Sequence, residues 1–447
     1  MENRGIRAIR TTTISRRGWE SHTSCANTRS SAQAAEFSIP TFGAWARDRR
    51  HSALQDFLAN TSVITSLNGV NPVTFLENPF PNGVVPPTGS SLGPATLLGQ
   101  TIDYYNRGNR APYSAQWNFN IQHQFPGNFL LEVGYMGSRG LKFPVTDLRN
   151  QLPTADLALG NALRTTVQNP FYPQISSGVL ASPTVAEAQL LRPYPQFDTV
   201  NDDLADIANS TYNALTVRFE RRYSRGLTLL ASYTYSKSID LGIGSFSGDT
   251  VSGGAVQNYW DLKDEYAPSA LDQTHRLIAN AVYQLPFLKS GRGFLSRAFS
   301  GWELGVIVSF ASGGPLGITQ NTNNTFAQGG GQRPDWTGIS AKLDNPSVQE
   351  WFDTTQFTTA APYAFGNVAR TLGGLRSDGL HQAHMTLNKF LPINDRVKLQ
   401  FRSEFFNVSN TPQFQPPNTT QGAAGFGSVS GQNNQPRVVQ FALKLQY

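Results

Sequence analysis

Cysteine is almost missing from these 447 residues: Cys25 stands alone. A lone cysteine excludes an internal disulfide framework and a cysteine-based metal site. Charge is sparse as well, at 15% Asp, Glu, Lys and Arg against about a quarter in soluble domains. No apolar run reaches the roughly 18 residues that a transmembrane helix needs, and mean hydropathy is −0.33. That value does not exclude a membrane, because a barrel strand alternates lipid-facing and lumen-facing residues. The net charge of +6 is modest, and the pairs Arg16-Arg17, Arg49-Arg50 and Arg221-Arg222 lie in no RNA- or DNA-reading module. Nucleic acid is therefore not an expected partner.

Catalytic constellations are also missing, so no enzyme activity and no cofactor is expected. His381 and His384 are three apart, which on a strand sends them to opposite faces. The glycines of GIGSFSG at 242–248 have the wrong spacing for a phosphate loop and read as a flexible loop. No G-x-S-x-G elbow occurs. Two acidic clusters, Asp202, Asp203 and Asp206 and then Asp261, Asp264 and Glu265, lack EF-hand spacing and read as solvated loop charges. The first 35 residues are rich in Arg and Ser, without the apolar core of an export signal. The expectation is a wrongly assigned start or a truncated remnant, with residues 1–59 irregular or disordered.

What is present is alternation. In YSAQWNFNIQ at 113–122 every odd position is apolar or aromatic and every even one is Ser, Asn or Gln. That is strand periodicity. The pattern recurs eight more times: Phe129 to Tyr135, Leu215 to Phe219, Leu227 to Tyr235, Leu277 to Leu285, Trp302 to Phe310, Ala383 to Leu387, Val397 to Phe405 and Val439 to Tyr447. Weaker candidates lie around 62–66 and 95–105. Links alternate short and long, with turns expected at 125–128, 224–226 and 392–395 and polar loops between. A sandwich gives no reason for such alternation; an outer-membrane barrel does, with short periplasmic turns and long extracellular loops. Trp302 and Phe310 are about 26 Å apart along their strand at roughly 3.3 Å per residue, which suits two aromatic girdles. The other faces are polar, with Thr216, Arg218, Glu220 and Arg222 on one strand and Lys398, Gln400, Arg402 and Glu404 on another. The expected fold is all-β: an antiparallel transmembrane β-barrel over 60–447, partial at about 9–11 strands, with long extracellular loops. Nine strands leave two open edges, which lipid does not tolerate.

Several stretches resemble the Oar-like TonB-dependent receptors of acidobacterial type. They are NPFPNG at 78–83, PPTG at 86–89, LEVGYMGSRG at 131–140, LRPYPQF at 191–197, ASYTYSK at 231–237, DQTHRL at 272–277, FRSEFFN at 401–407 and QPR at 435–437. The resemblance implies the C-terminal part of a plugged barrel of about 22 strands that imports a large scarce solute, of carbohydrate or siderophore class. It also implies outer-membrane lipid as surroundings and the barrel assembly machinery as a partner. The TonB complex is a partner only if a missing N-terminal part is present. No plug, TonB-contacting box or carboxypeptidase-like domain is legible here. The alternative is a non-transporting adhesion barrel. Tyr447 with Phe441, Leu443 and Leu445 before it is similar to the C-terminal signal read in assembly. Among loop aromatics, Tyr172, Tyr194, Tyr259, Trp260, Trp336 and Tyr363 are candidate vestibule residues. Tyr259, Trp260 and Trp336, with Arg218 and Arg402, are the candidate solute contacts.

Overall fold

The computed structural model describes the backbone of residues 28–38, and residues 59–175 apart from 60, 65 and 74. It further describes 178–242, 256–286, 299–394 apart from 330, and 396–447. One antiparallel sheet dominates. Its strands are β1 (Thr28–Ser38), β2 (Tyr113–Phe125), β3 (Phe129–Leu148), β4 (Val200–Ser224), β5 (Leu227–Asp240), β6 (His275–Gln284), β7 (Trp302–Ala311), β8 (Leu380–Pro392), β9 (Lys398–Phe406) and β10 (Val438–Gln446). Each pairs with its neighbour in sequence, and among the described residues the path ends at β1 and at β10 without closing. All nine expected alternations fall on strands, with Leu285, Val397 and Tyr447 one residue beyond the strand ends. β1 is an addition: it falls in the stretch read as irregular. Of the weak candidates, Ile102–Tyr104 is a short strand parallel to the start of β4, and Ser66 makes only an isolated bridge to Pro72.

Register follows the alternation. Ile121 pairs with Val133, Val133 with Val217, Val217 with Tyr233 and Tyr233 with Leu277. The row continues through Phe310 to His381. Further along the same face Phe401 pairs with Leu443. One face is thus apolar from β2 to β10. A one-residue slip would turn every such side chain to the other face, so this pattern specifies the pairing up to even shifts. Turn chemistry agrees. Arg225 and Gly226 have φ of 51° and 83°, the paired left-handed conformations of a two-residue hairpin loop.

The opposite face carries Gln122 bonded to Glu132 at 3.1 Å, Arg218 paired with Glu220 at 2.9 Å, and Arg402 paired with Glu404. It is less uniformly polar than expected between β5 and β7, where Ile278, Val282 and Ile307 are exposed on it. Two strands also outrun the expectation. β3 has 20 residues and β4 has 25, whereas about 9–11 cross the hydrocarbon core. The stretch 200–209, read as loop, is strand because it pairs with the end of β3, from Phe143↔Ala208 to Leu148↔Asn201.

Most buried hydrophobic side chains lie at the long-loop end, where the links fold into small apolar clusters. The largest joins Leu316, Ile318, Phe352, Phe357, Val368 and Leu375, with Trp336 and Trp351 against it. A second holds Leu152, Leu157, Leu163, Ala188 and Ala327, and a third Ile175, Leu180 and Val185. The polar link after β7 is therefore a packed body, held by short pairs such as Asp335–Trp336 with Phe357–Thr358.

Candidate functional site

Three links meet above the sheet: 149–199 after β3, 241–274 after β5 and 312–379 after β7. Their contact is polar. Gln151 is fully buried. Its amide donates to the carbonyls of Gln257 (3.1 Å) and Gln328 (3.2 Å), and its oxygen accepts from the Tyr259 amide at 2.8 Å. Gln257 donates to Gly366 O (2.9 Å) and accepts from Arg333 N (2.7 Å). A buried amide costs free energy unless its donors and acceptors are matched. These are matched across three loops, so the amides hold the loops to one another.

Three arginines complete the cap. Arg333 and Glu265 form a bidentate pair at 2.7 and 2.9 Å, with side chains 4% and 0% exposed. Arg370 donates to Asp240 Oδ1 at 2.5 Å, to Asp240 O at 2.7 Å and to Glu265 O at 3.0 Å. Burial pushes its guanidinium below the ordinary value, against the pull of Asp240 and Glu265. Arg376 pairs with Asp272 at 2.5 Å and donates to Gly313 O at 2.9 Å. Glu265 is thus neither solvated nor free to ligate a cation, a correction to the reading of its acidic cluster. The same holds for burial of Asp202 (0% exposed) and Asp203 (9%). Both lie in the β3–β4 extension, where Arg149 reaches Asp147 at 2.9 Å and Asp202 at 3.9 Å. The short spacing of acids in sequence does not tell a solvated loop from one whose charges meet distant arginines.

The candidate contacts are spread out. Tyr259 and Trp260 stand together at the loop junction. Burial first, then the charges of Asp147 and Glu265, push the Tyr259 hydroxyl up to about 12. Trp260 is half exposed, and its indole N–H donates to Leu152 O at 3.1 Å. Trp336 packs on the largest cluster and donates to Ile339 O at 2.7 Å. Arg218 and Arg402 lie on the inner face of β4 and β9, which are not neighbours in the sheet. Only Tyr259 and Trp260 are brought together. Tyr172 and Tyr194 are exposed, at 45% and 44%, and Tyr363 donates to Asn161 Oδ1 at 2.8 Å. His381 pairs with Phe310 on the apolar face and His384 with Ile307 on the inner face, so the two histidines do point apart. Of the glycine run 242–248, only Gly242 is among the described residues. Sequence reasoning missed Gln151, Gln257, Arg333 and Arg370. The one available signal was an arginine standing alone in charge-poor loop sequence, as Arg333 does after Gly-rich residues.

The C-terminal strand is an edge. Among the described residues β10 pairs with β9 alone, and Phe441, Leu443, Leu445 and Tyr447 are 65%, 68%, 54% and 99% exposed.

No curated protein matches the chain in sequence. Solved structures similar to it include the outer membrane transporter YddB from Escherichia coli, at 9% identity and a TM-score of 0.38, over 78% of this chain and 34% of that one. The pyoverdine receptor FpvA from Pseudomonas aeruginosa PAO1 matches at 9% identity and 0.35, over 77% and 31%. The FrpB iron transporter from Neisseria meningitidis (F3-3 variant) matches at 11% and 0.33, over 78% and 33%. The chain spans about a third of the length of each. A family model described as an outer membrane beta barrel domain matches residues 39–440. With its alternating strands and long-looped end, this chain of the outer membrane belongs to the outer membrane beta barrel domain family.

Proposed function

We propose that the chain is barrel wall and outer loops of a TonB-dependent receptor of Oar-like type, taking up a large scarce solute of carbohydrate or siderophore class. The observation that carries this reading is the cap. Three loops are fastened by matched buried amides and arginines, yet present exposed rings at Tyr172, Tyr194 and Trp260. Rigid aromatic faces beside Asn and Gln suit stacking on a sugar or a siderophore ring. Beneath them the inner face carries Arg218 and Arg402, each about half exposed, a polar lining that water or a solute wets. In this reading residues 60–447 are the C-terminal part of a barrel of about 22 strands. Strands of the whole receptor cover the edges of β1 and β10. The β10 edge and Tyr447 engage the assembly machinery, since an unpaired alternating strand is a template for strand addition. The TonB complex acts only through a plug elsewhere in the receptor. No catalytic role falls to any residue.

The test is saturable binding to cells displaying the receptor, with a ferric catecholate and a branched oligosaccharide as probes. One probe is expected to bind, and Trp260→Ala is expected to weaken it about tenfold, the loss of a stacking contact near 1–1.5 kcal/mol. Binding of neither probe, together with retained attachment of the cells to surfaces, would favour the adhesion barrel instead.

A further inference from the structure

At the long-loop rim of β5–β8 the apolar face is interrupted by a cleft. Tyr233, Leu277, Phe310 and His381 form a row in register across the four strands. One step nearer the loops stand His275, Ser312, Gly313 and Gly379, and together these residues line a cavity of about 340 Å³. At both glycines the neighbouring backbone comes too close for any side chain. A Cβ on Gly313 would lie 1.9 Å from Ser377 O, and one on Gly379 2.5 Å from Ala311 O. A second cavity of about 490 Å³ shares His275 and Ser312 and continues toward the loops between Lys342, Trp351 and Arg376. Its walls are pinned: the Trp351 indole donates to Arg376 O at 2.8 Å, and Arg376 is held by Asp272. Lys342 is exposed and forms no ion pair among the described residues. His275 shares a 2.8 Å hydrogen bond with the Tyr233 hydroxyl. His381 is held by ring contact with Phe310, at 5.8 Å between centroids.

The groove therefore runs from a membrane-facing apolar belt to a cation. We propose that it seats the phosphorylated headgroup of an outer-leaflet lipid. Lys342 supplies the charge, the His275 and His381 rings supply N–H donors, and one acyl chain lies on Leu277 and Phe310. Three observations select that occupant. The lower cavity opens on the face the membrane covers. Its chemistry changes from apolar to cationic in the order in which a lipid does at the interface. And a free polar solute gains nothing from the lower half of the groove.

The experiment uses the full chain in micelles of a neutral detergent and native mass spectrometry. Phosphatidic acid and phosphatidylcholine with the same acyl chains are the probes, and inorganic phosphate is the competitor. The expected result is retention of phosphatidic acid in preference to phosphatidylcholine. Lys342→Gln should lower it about fivefold, the scale of one basic residue at a membrane surface, and adding His381→Ala should lower it further. Lys342 is exposed, so the single variant keeps the fold; heat-modifiable migration in gels checks it for both. Equal retention of the two lipids, or unchanged retention by the variants, overturns the proposal. Displacement of the lipid by millimolar inorganic phosphate overturns it too, assigning the cations to a free anion.

Discussion

Replacing Arg333 with Met isolates the energetics of the cap. Glu265 is 0% exposed and takes both oxygens' strongest bonds from that guanidinium. After the change it keeps, among the described residues, a donor of a different kind, the backbone N–H of Gln257 at 3.0 Å. Removing one partner of a buried pair costs about 3–5 kcal/mol, because the remaining charge is left without compensation. The surviving amide bond argues for the lower end. About 3 kcal/mol corresponds to roughly a hundredfold larger population of the opened cap. The readout is hydrogen–deuterium exchange of peptides spanning 257–268 and 331–343, with peptides of β6 and β7 as internal references. Exchange in the first two should quicken by about two orders of magnitude while the references hold. The double change Arg333→Met with Glu265→Gln removes the charge with its partner and should recover more than half of the loss. If single and double variants exchange alike, the uncompensated carboxylate is not the cause and the reasoning fails.

Two further outcomes follow from the faces and the loops. Phe441→Arg places a cation on the apolar face of β10 and should cost about 2–4 kcal/mol of folding into bilayers, whereas Gln440→Arg, opposite Glu404, should cost close to nothing; equal effects in a liposome folding titration would refute the assignment of faces. Tyr259, raised to about 12 from 10.0, is held protonated by the fold. Its contribution is complete below about 10 and is lost as pH rises toward about 12. Cap protection against exchange should fall across that window and Tyr259→Phe should abolish the fall, while an identical pH profile in the variant would show that another group titrates.

Much of the sheet was legible because lipid imposes a period of two on whatever faces it. Phe119, Ile121, Val133 and Val217 announce their side without any knowledge of their partners. The β4 extension was not legible, since Asn201, Asp202 and Asp203 resemble loop residues until Arg149 and the end of β3 are placed beside them. The cap was hidden for a related reason. Arg333 meets Glu265 across 68 positions and Arg370 meets Asp240 across 130, so no local pattern joins them. The candidate aromatics were visible as residue types, but exposure separates them: Trp260 is open, while Trp336 is packed on a cluster whose other members come from 316 to 375.

The arginines of the cap also bear on how the strands are aligned. A slip of two residues between neighbours leaves every apolar side chain facing outward, so the membrane does not penalise it as it penalises a slip of one. The rim contacts do. Arg370 binds the last residue of β5, and Arg376, four residues before β8, binds Asp272 before β6 and Gly313 after β7. A two-residue offset displaces one strand against the next by about 7 Å, far beyond the reach of these bonds. Four strands are thereby fixed in phase at one end by guanidinium groups that belong to the link between β7 and β8.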